Sequence, residues 1–238
     1  MEIGPLPVGA SKRAHVRAMF DRIAPRYDAL NRLLTAGLDR RWRRSALAAV
    51  DVGPGDRVLD LACGTGDLID LAAARGARVL GVDMALGMLR VARRRGVAGA
   101  IVQGDAAGLP LPDAWASVLC CGFALRNFVS LDTVLREMAR VLAPGGRLVL
   151  LEVDRPERRW IRAGHELWFE RMVPWLGGLL SDRAAYAYLP RSVAYLPPTP
   201  ELLTRLEAAG LPRCRTCRAC SRPWPPFQWA AAGACHVA

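Results

Sequence analysis

Val58-Leu59-Asp60-Leu61-Ala62-Cys63-Gly64-Thr65-Gly66-Asp67 is the stretch that decides the fold. A short apolar strand, Arg57 to Leu61, runs into a tight glycine turn. A helical pattern follows from Asp67 to Arg75 and closes at Gly76. Gly64 and Gly66 carry no side chain, so the backbone there can press against a ligand. The first N–H groups of the following helix add a positive end beside it. Working outward, the alternation continues: a strand at Arg78–Val82, a helix at Ala85–Arg95 ended by Gly96, a strand at Ala100–Gln103 and a strand at Ser117–Gly122. A helix at Leu131–Leu142 then stops at Pro144-Gly145-Gly146, and a fifth strand spans Arg147–Glu152. Alternating helices with apolar, unpatterned strands predict an α/β fold: a Rossmann-like, mostly parallel, twisted sheet with helices on both faces.

The flanks read differently. Val16, Met19, Phe20, Ile23, Tyr27, Leu30 and Leu34 recur at spacings of three and four, so Ser11–Leu34 is helical in pattern, with Pro25 expected to kink or split it. Trp42–Val50 reads as a second helix, stopped by Val52-Gly53-Pro54-Gly55. Residues 1–50 are therefore expected to form a helical lid over a core spanning residues 51–212. Within that core, apolar helices are inserted at about 155–198. Trp160–Leu180 could cradle an apolar tail, rest on a membrane or simply pack, and amphipathicity does not choose among these. Thr199–Ala209 reads as a helix with Thr199 as N-cap, Pro200 in the first turn and Gly210 at its end.

A third loop glycine, which a pyrophosphate-binding turn would show, is missing. Instead Asp60 and Asp67 bracket the loop, and two carboxylates suit a cationic, phosphate-free ligand. Asp83 ends the second strand, where it can accept ribose hydroxyls. Asp105, in Gly104-Asp105-Ala106 after the third strand, is placed to meet an adenine amino group. Ala62, Gly64, Thr65, Gly66, Met84 and Ala106 complete the expected cofactor contacts. S-adenosylmethionine, which carries an ammonium and a sulfonium, fits this set.

With 238 residues, 52% of them hydrophobic, the chain suits a single core. No apolar run approaches the roughly 20 residues of a membrane span, and the N-terminus lacks a signal-peptide pattern. The expectation is a cytoplasmic protein, with peripheral contact at the inner face of the membrane left open. Its seven cysteines are not expected to form a disulfide framework. The net charge of +11 falls as +6 over residues 1–44, zero over 45–152 and +5 over 153–238. Basic ends suit an anionic partner or form a solvated surface. The 33 basic residues are 32 arginines and Lys12, which points to GC-rich coding. No nucleic-acid-binding module appears, so no nucleic-acid partner is expected. His15 and His165 have no companion at ligand spacing. Cys214, Cys217 and Cys220, with Cys235-His236 nearby, could hold zinc or iron–sulfur, but no fold pattern supports a cluster and no metal is expected.

DLACGTGD, GVD, GDA and RVLAPGG together resemble the class I S-adenosylmethionine-dependent methyltransferases. A narrower resemblance lies elsewhere. Phe20–Arg44 (FDRIAPRYDALNRLLTAGLDRRWRR), Gly122–Phe128 (GFALRNF), Arg140–Pro156 and Asp182–Pro197 resemble the ubiquinone/menaquinone biosynthesis C-methyltransferases, over roughly residues 12–210. The resemblance implies C-methylation of a prenylated quinol, such as demethylmenaquinol to menaquinol. It also implies that Arg126 and Asn127 stand beside the methyl donor, with Arg126 stabilising a phenolate or polarising a water that takes the proton, and Asn127 orienting a quinol oxygen. Tyr27, Asp28 and Asn31 belong to its N-terminal motif, with Tyr27 at the site. A homodimer is left open. The competing readings are a methyltransferase for another small apolar acceptor and a fold-retaining, non-catalytic binding protein. The end of the chain departs from the family: residues 213–238 have no period-two apolar run, and Pro223, Pro225 and Pro226 oppose a central strand. This segment reads as a divergent or frameshifted tail that contributes no strands.

Overall fold

A computed structural model of the chain describes residues 7–152, 182–211, 215–218 and 231–236. In order, its elements are α1 (Gly9–Leu34), α2 (Leu38–Ala49), β1 (Arg57–Leu61), α3 (Asp67–Ala73), β2 (Arg78–Asp83) and α4 (Leu86–Arg95). Then come β3 (Ala100–Gln103), β4 (Ala116–Gly122), a short 3-10 turn (Leu125–Asn127), α5 (Leu131–Val141) and β5 (Leu142–Glu152). The chain closes with α6 (Arg183–Ser192), a second 3-10 turn (Val193–Tyr195), α7 (Thr199–Ala208), β6 (Arg215–Arg218) and β7 (Ala231–His236).

The strands form one sheet in the order β3-β2-β1-β4-β5-β7-β6. The first five are parallel. Their apolar runs divide by alternation between two cores. Leu59, Leu61, Leu119, Cys121, Leu148 and Leu150 meet α5 and Leu206 of α7 on one face. Val58, Val118, Cys120 and Val149 meet Ala46 and Leu47 of α2 and Ile69 of α3 on the other. This two-sided burial is why the strands look unpatterned in sequence. The order reverses between β1 and β4, so a crevice opens beyond their carboxyl ends. A third apolar cluster lies over that end, built from Val16, Met19 and Ile23 of α1, Met88 of α4 and Tyr186 and Tyr188 of α6.

Three expectations are corrected. Pro25 does not split α1, which runs unbroken from Gly9 to Leu34 with Pro25 on its exposed side. Packing against α4 holds it. The Asp21 carboxylate accepts the Gly87 N–H at 2.6 Å, and a Cβ on Gly87 would stand 2.8 Å from the Asp21 carbonyl. Thr199 is not the N-cap of α7. Pro198 holds that position, with no side-chain capping bond. The third correction concerns the end of the chain, which does supply strands. β7 pairs antiparallel with β5, from Arg147↔His236 to Glu152↔Ala231, and β6 pairs antiparallel with β7. Strand pairing is made by backbone groups, so a segment without an alternating apolar pattern can still close a sheet. Trp160–Leu180, His165, Cys214, Cys220 and Pro223 to Pro226 lie outside the described residues.

Candidate active site

The strand ends set the site. After β1 the chain takes positive φ at Ala62 (57°), Gly64 (57°) and Gly66 (91°), which coils the loop tightly. The two glycines do different work. A Cβ on Gly66 would stand 2.5 Å from Val97, so this glycine lets the loop pack against the fold. A Cβ on Gly64 would meet nothing within 4 Å, so this one keeps a surface bare. Asp83, at the end of β2, fixes the loop from the side: its carboxylate accepts the Gly64 N–H and the Ala85 N–H, both at 2.8 Å. At the end of β4, Phe123 also has positive φ (60°), an uncommon conformation for a bulky residue, and the Leu151 carbonyl holds its N–H at 2.6 Å.

Between these loops and α1 lies a cavity of about 240 Å³. Ala62, Gly64, Asp83, Met84, Asp105 and Ala106 wall one end. Phe123, Asn127 and Phe128 wall the other, and Arg13, Val16, Phe20 and Tyr27 roof it from α1. Of the expected cofactor residues, Asp60, Thr65 and Gly66 are absent from this wall. The Thr65 hydroxyl points to Asp28 of α1 at 2.5 Å. Asp105 pairs with Arg13 at 3.2 Å, so the roof reaches the end where adenine was expected. Asp67 is engaged by Arg95 at 2.9 Å and Arg32 at 3.9 Å, leaving Asp60 as the uncommitted carboxylate of the expected pair.

Asp60 is the sharpest electrostatic feature. It is 1% exposed, and neither carboxylate oxygen has a hydrogen-bond partner. Burial, with Asp83 and Asp67 nearby and only partly offset by Arg43, pushes its pKa up to about 8. A buried carboxylate without partners is costly unless a cation joins it. The bare Gly64 and the Asp83 carboxylate on the wall, with the buried, orphaned Asp60 outside it, are groups that would suit the cationic, ribose-bearing S-adenosylmethionine. Cys63, Cys120 and Cys121 are buried, and burial raises their thiols well above the usual value, so they are inert packing. Among the described residues no group of three or more His, Cys, Asp or Glu could hold a metal.

At the other end, Asn127 and Tyr27 reach the cavity and Arg126 does not. Arg126 is buried behind the 3-10 turn and ion-paired to Glu152. Burial raises the Tyr27 phenol, against the nearby charges of Arg43 and Arg126, so it stays protonated and can donate. The Tyr188 hydroxyl lies 3.4 Å from Asn127 Oδ1, and burial pushes Tyr188 up to about 12. Sequence reasoning missed Phe20, Val16 and Met88, whose helical spacing reads as core. It also missed Phe123, whose positive φ leaves no mark in the sequence.

Comparison with known proteins identifies the family. The ubiE/COQ5 methyltransferase family matches residues 8–218. A demethylmenaquinone methyltransferase of Thermus thermophilus is 46% identical over 200 residues, covering 81% of this chain and 90% of the relative. A ubiquinone/menaquinone biosynthesis C-methyltransferase of Syntrophotalea carbinolica is 40% identical, covering 84% and 86%. Among solved structures, a SAM-dependent methyltransferase from Aquifex aeolicus has a TM-score of 0.60 at 15% identity, covering 89% of this chain and 98% of that one. A putative S-adenosyl-L-methionine-dependent methyltransferase from Methanococcus maripaludis has a TM-score of 0.63 at 15% identity, covering 99% and 96%. These structural likenesses establish the fold. By sequence, the chain belongs to the ubiE/COQ5 methyltransferase family and is an S-adenosylmethionine-dependent methyltransferase.

Proposed function

We propose that this chain methylates a ring carbon of a prenylated quinol, converting demethylmenaquinol to menaquinol or its ubiquinone-pathway equivalent. The observation that carries the reading is the two-ended cavity. Carboxylates stand at the glycine-loop end, and an aromatic wall with two neutral polar groups stands at the other. S-adenosylmethionine supplies an electrophilic sulfonium methyl. The chain's own residues do the rest. Phe123, Phe128 and Phe20 exclude water and stack on a flat ring. The Tyr27 hydroxyl donates to a ring oxygen as negative charge grows on it. Asn127, with Tyr188 near its Oδ1, offers its amide N–H groups to the second ring oxygen. Arg126, held by Glu152, lends positive potential from behind. The sulfonium methyl would pass to the ring carbon as its bond to sulfur breaks, leaving S-adenosylhomocysteine, and the phenol proton and the proton displaced from the ring carbon would be lost to solvent outside the aromatic wall.

The acceptor's prenyl tail resides in lipid, and the basic ends of the chain support contact with an anionic membrane surface. Among the described residues no helix is long and apolar enough to cross a membrane. The test supplies labelled S-adenosylmethionine and reduced demethylmenaquinone in anionic or neutral vesicles and detects the methylated quinone by mass. The parent is expected to methylate, faster on anionic vesicles and with that advantage lost in high salt. Asn127→Ala is expected to lower kcat about 100-fold. Cofactor binding without quinol methylation would discard this acceptor, and equal rates on both vesicles would discard the membrane contact.

A further inference from the structure

Of the 33 basic side chains, 32 are arginine, and the exception, Lys12, is buried in the lid. It sits in the first turns of α1, 5% exposed. Its ammonium donates to the Phe128 carbonyl at 2.7 Å and lies 3.6 Å from the centroid of the Tyr195 ring. The Tyr195 hydroxyl in turn donates to the Pro7 carbonyl, just before α1 begins. Three separate segments thus close on one ammonium: the start of the lid, the turn after β4 that carries Asn127, and the 3-10 turn after α6. Phe128 and Asn127 are also walls of the acceptor end of the cavity.

The chemistry explains why this position suits lysine better than arginine. A guanidinium is a planar fork of five donors that cannot shed its charge. One backbone carbonyl and one aromatic face cannot satisfy it in a buried slot. A compact ammonium needs less, and an aromatic face stabilises it when it is desolvated. Burial lowers the Lys12 pKa to about 8, and among the described residues no carboxylate pairs with its ammonium.

We propose that Lys12 is a positioning residue for the acceptor, docking the lid onto the Phe128 carbonyl and so setting the Asn127–Phe128 wall against which the ring lies. The cofactor end is held by other contacts, so the two ends should separate experimentally. The proposal rests on the quinol reading only for the identity of the acceptor.

The experiment compares parent, Lys12→Met and Lys12→Arg. Two measurements are made: hydrogen exchange of peptides covering α1 and β1–β5, and steady-state kinetics with reduced demethylmenaquinone. In Lys12→Met, exchange is expected to quicken about tenfold in the first half of α1 and to stay unchanged in the strands. KM for the quinol is expected to rise about tenfold, with kcat and S-adenosylmethionine affinity within twofold of the parent. Lys12→Arg should resemble Lys12→Met, since charge alone does not fill the seat. Unchanged α1 exchange in Lys12→Met overturns the proposal, as does full rescue by arginine. So does a parallel loss of cofactor affinity and strand protection, which would mark a general folding role. If the parent ignores the quinol, the acceptor reading fails and the exchange result still decides for or against Lys12.

Discussion

At the scale of single residues, Asp60 has the clearest consequence. Its acid form prevails below about pH 8, and only the carboxylate attracts a cation. The raised pKa means the free protein holds a proton that cofactor binding must release. Affinity for S-adenosylmethionine should therefore climb as pH rises toward about 8, by at most tenfold per unit, and then level off. Titration calorimetry at pH 6.5–7 (roughly 1 unit below the Asp60 value) in two buffers of different protonation enthalpy should detect release of about one proton. Asp60→Asn should bind more weakly and lose the slope. A parent with pH-independent affinity would show that Asp60 does not meet the cation. That Asp83 and Gly64 wall the cavity was legible, because strand ends and glycines announce themselves; that Asp60 lies outside its lining was not. Nor was the division of labour. That Asp67 serves Arg95, that Gly66 serves Val97 and that Arg126 sits behind the wall all depend on partners distant in the chain.

Among the elements, α1 is tied down at both ends of the cavity. Opposite Lys12, the Arg95 guanidinium of α4 gathers Asp28 of α1 at 2.9 Å, Asp67 at 2.9 Å, Asp70 at 3.4 Å and the Thr65 carbonyl at 3.0 Å. The lid helix is thereby bonded to the glycine loop itself. Arg95→Met is expected to lower stability by about 1–2 kcal/mol, a figure reduced for partial exposure. It should also weaken S-adenosylmethionine binding about 3–10-fold while leaving KM for the quinol within twofold, the mirror image of Lys12→Met. Denaturant melts and cofactor titration check this. An unchanged cofactor affinity would mean that the loop holds its shape without the lid. Helical spacing alone identified α1, and the split expected at Pro25 is absent, with the Asp21–Gly87 contact holding that turn against α4. Nothing in the sequence marks Arg95 out from the other arginines.

For the whole molecule, a mostly parallel sheet with helices on both faces was readable from alternation and turn glycines, while the core order β3-β2-β1-β4-β5 came only with the structure. The closing strands were not readable, because their segment lacks the apolar pattern that sequence reading depends on. β7 sits between β5 and β6, so removing everything after Leu211 would bare the β5 edge from Arg147 to Glu152. Such a truncated chain is expected to aggregate at concentrations where the parent stays in solution, as light scattering would show. A soluble, monodisperse truncation would mean that the edge is protected in another way. The same arrangement puts a clock on synthesis. Ala231 lies 79 positions after Glu152. At about 5–20 residues per second, the ribosome exposes a finished but unpaired strand for roughly 4–16 s before its neighbour emerges. During that interval the nascent enzyme is a sheet with an extra open edge, and its yield in the cell becomes a race between translation and the first stray strand it meets.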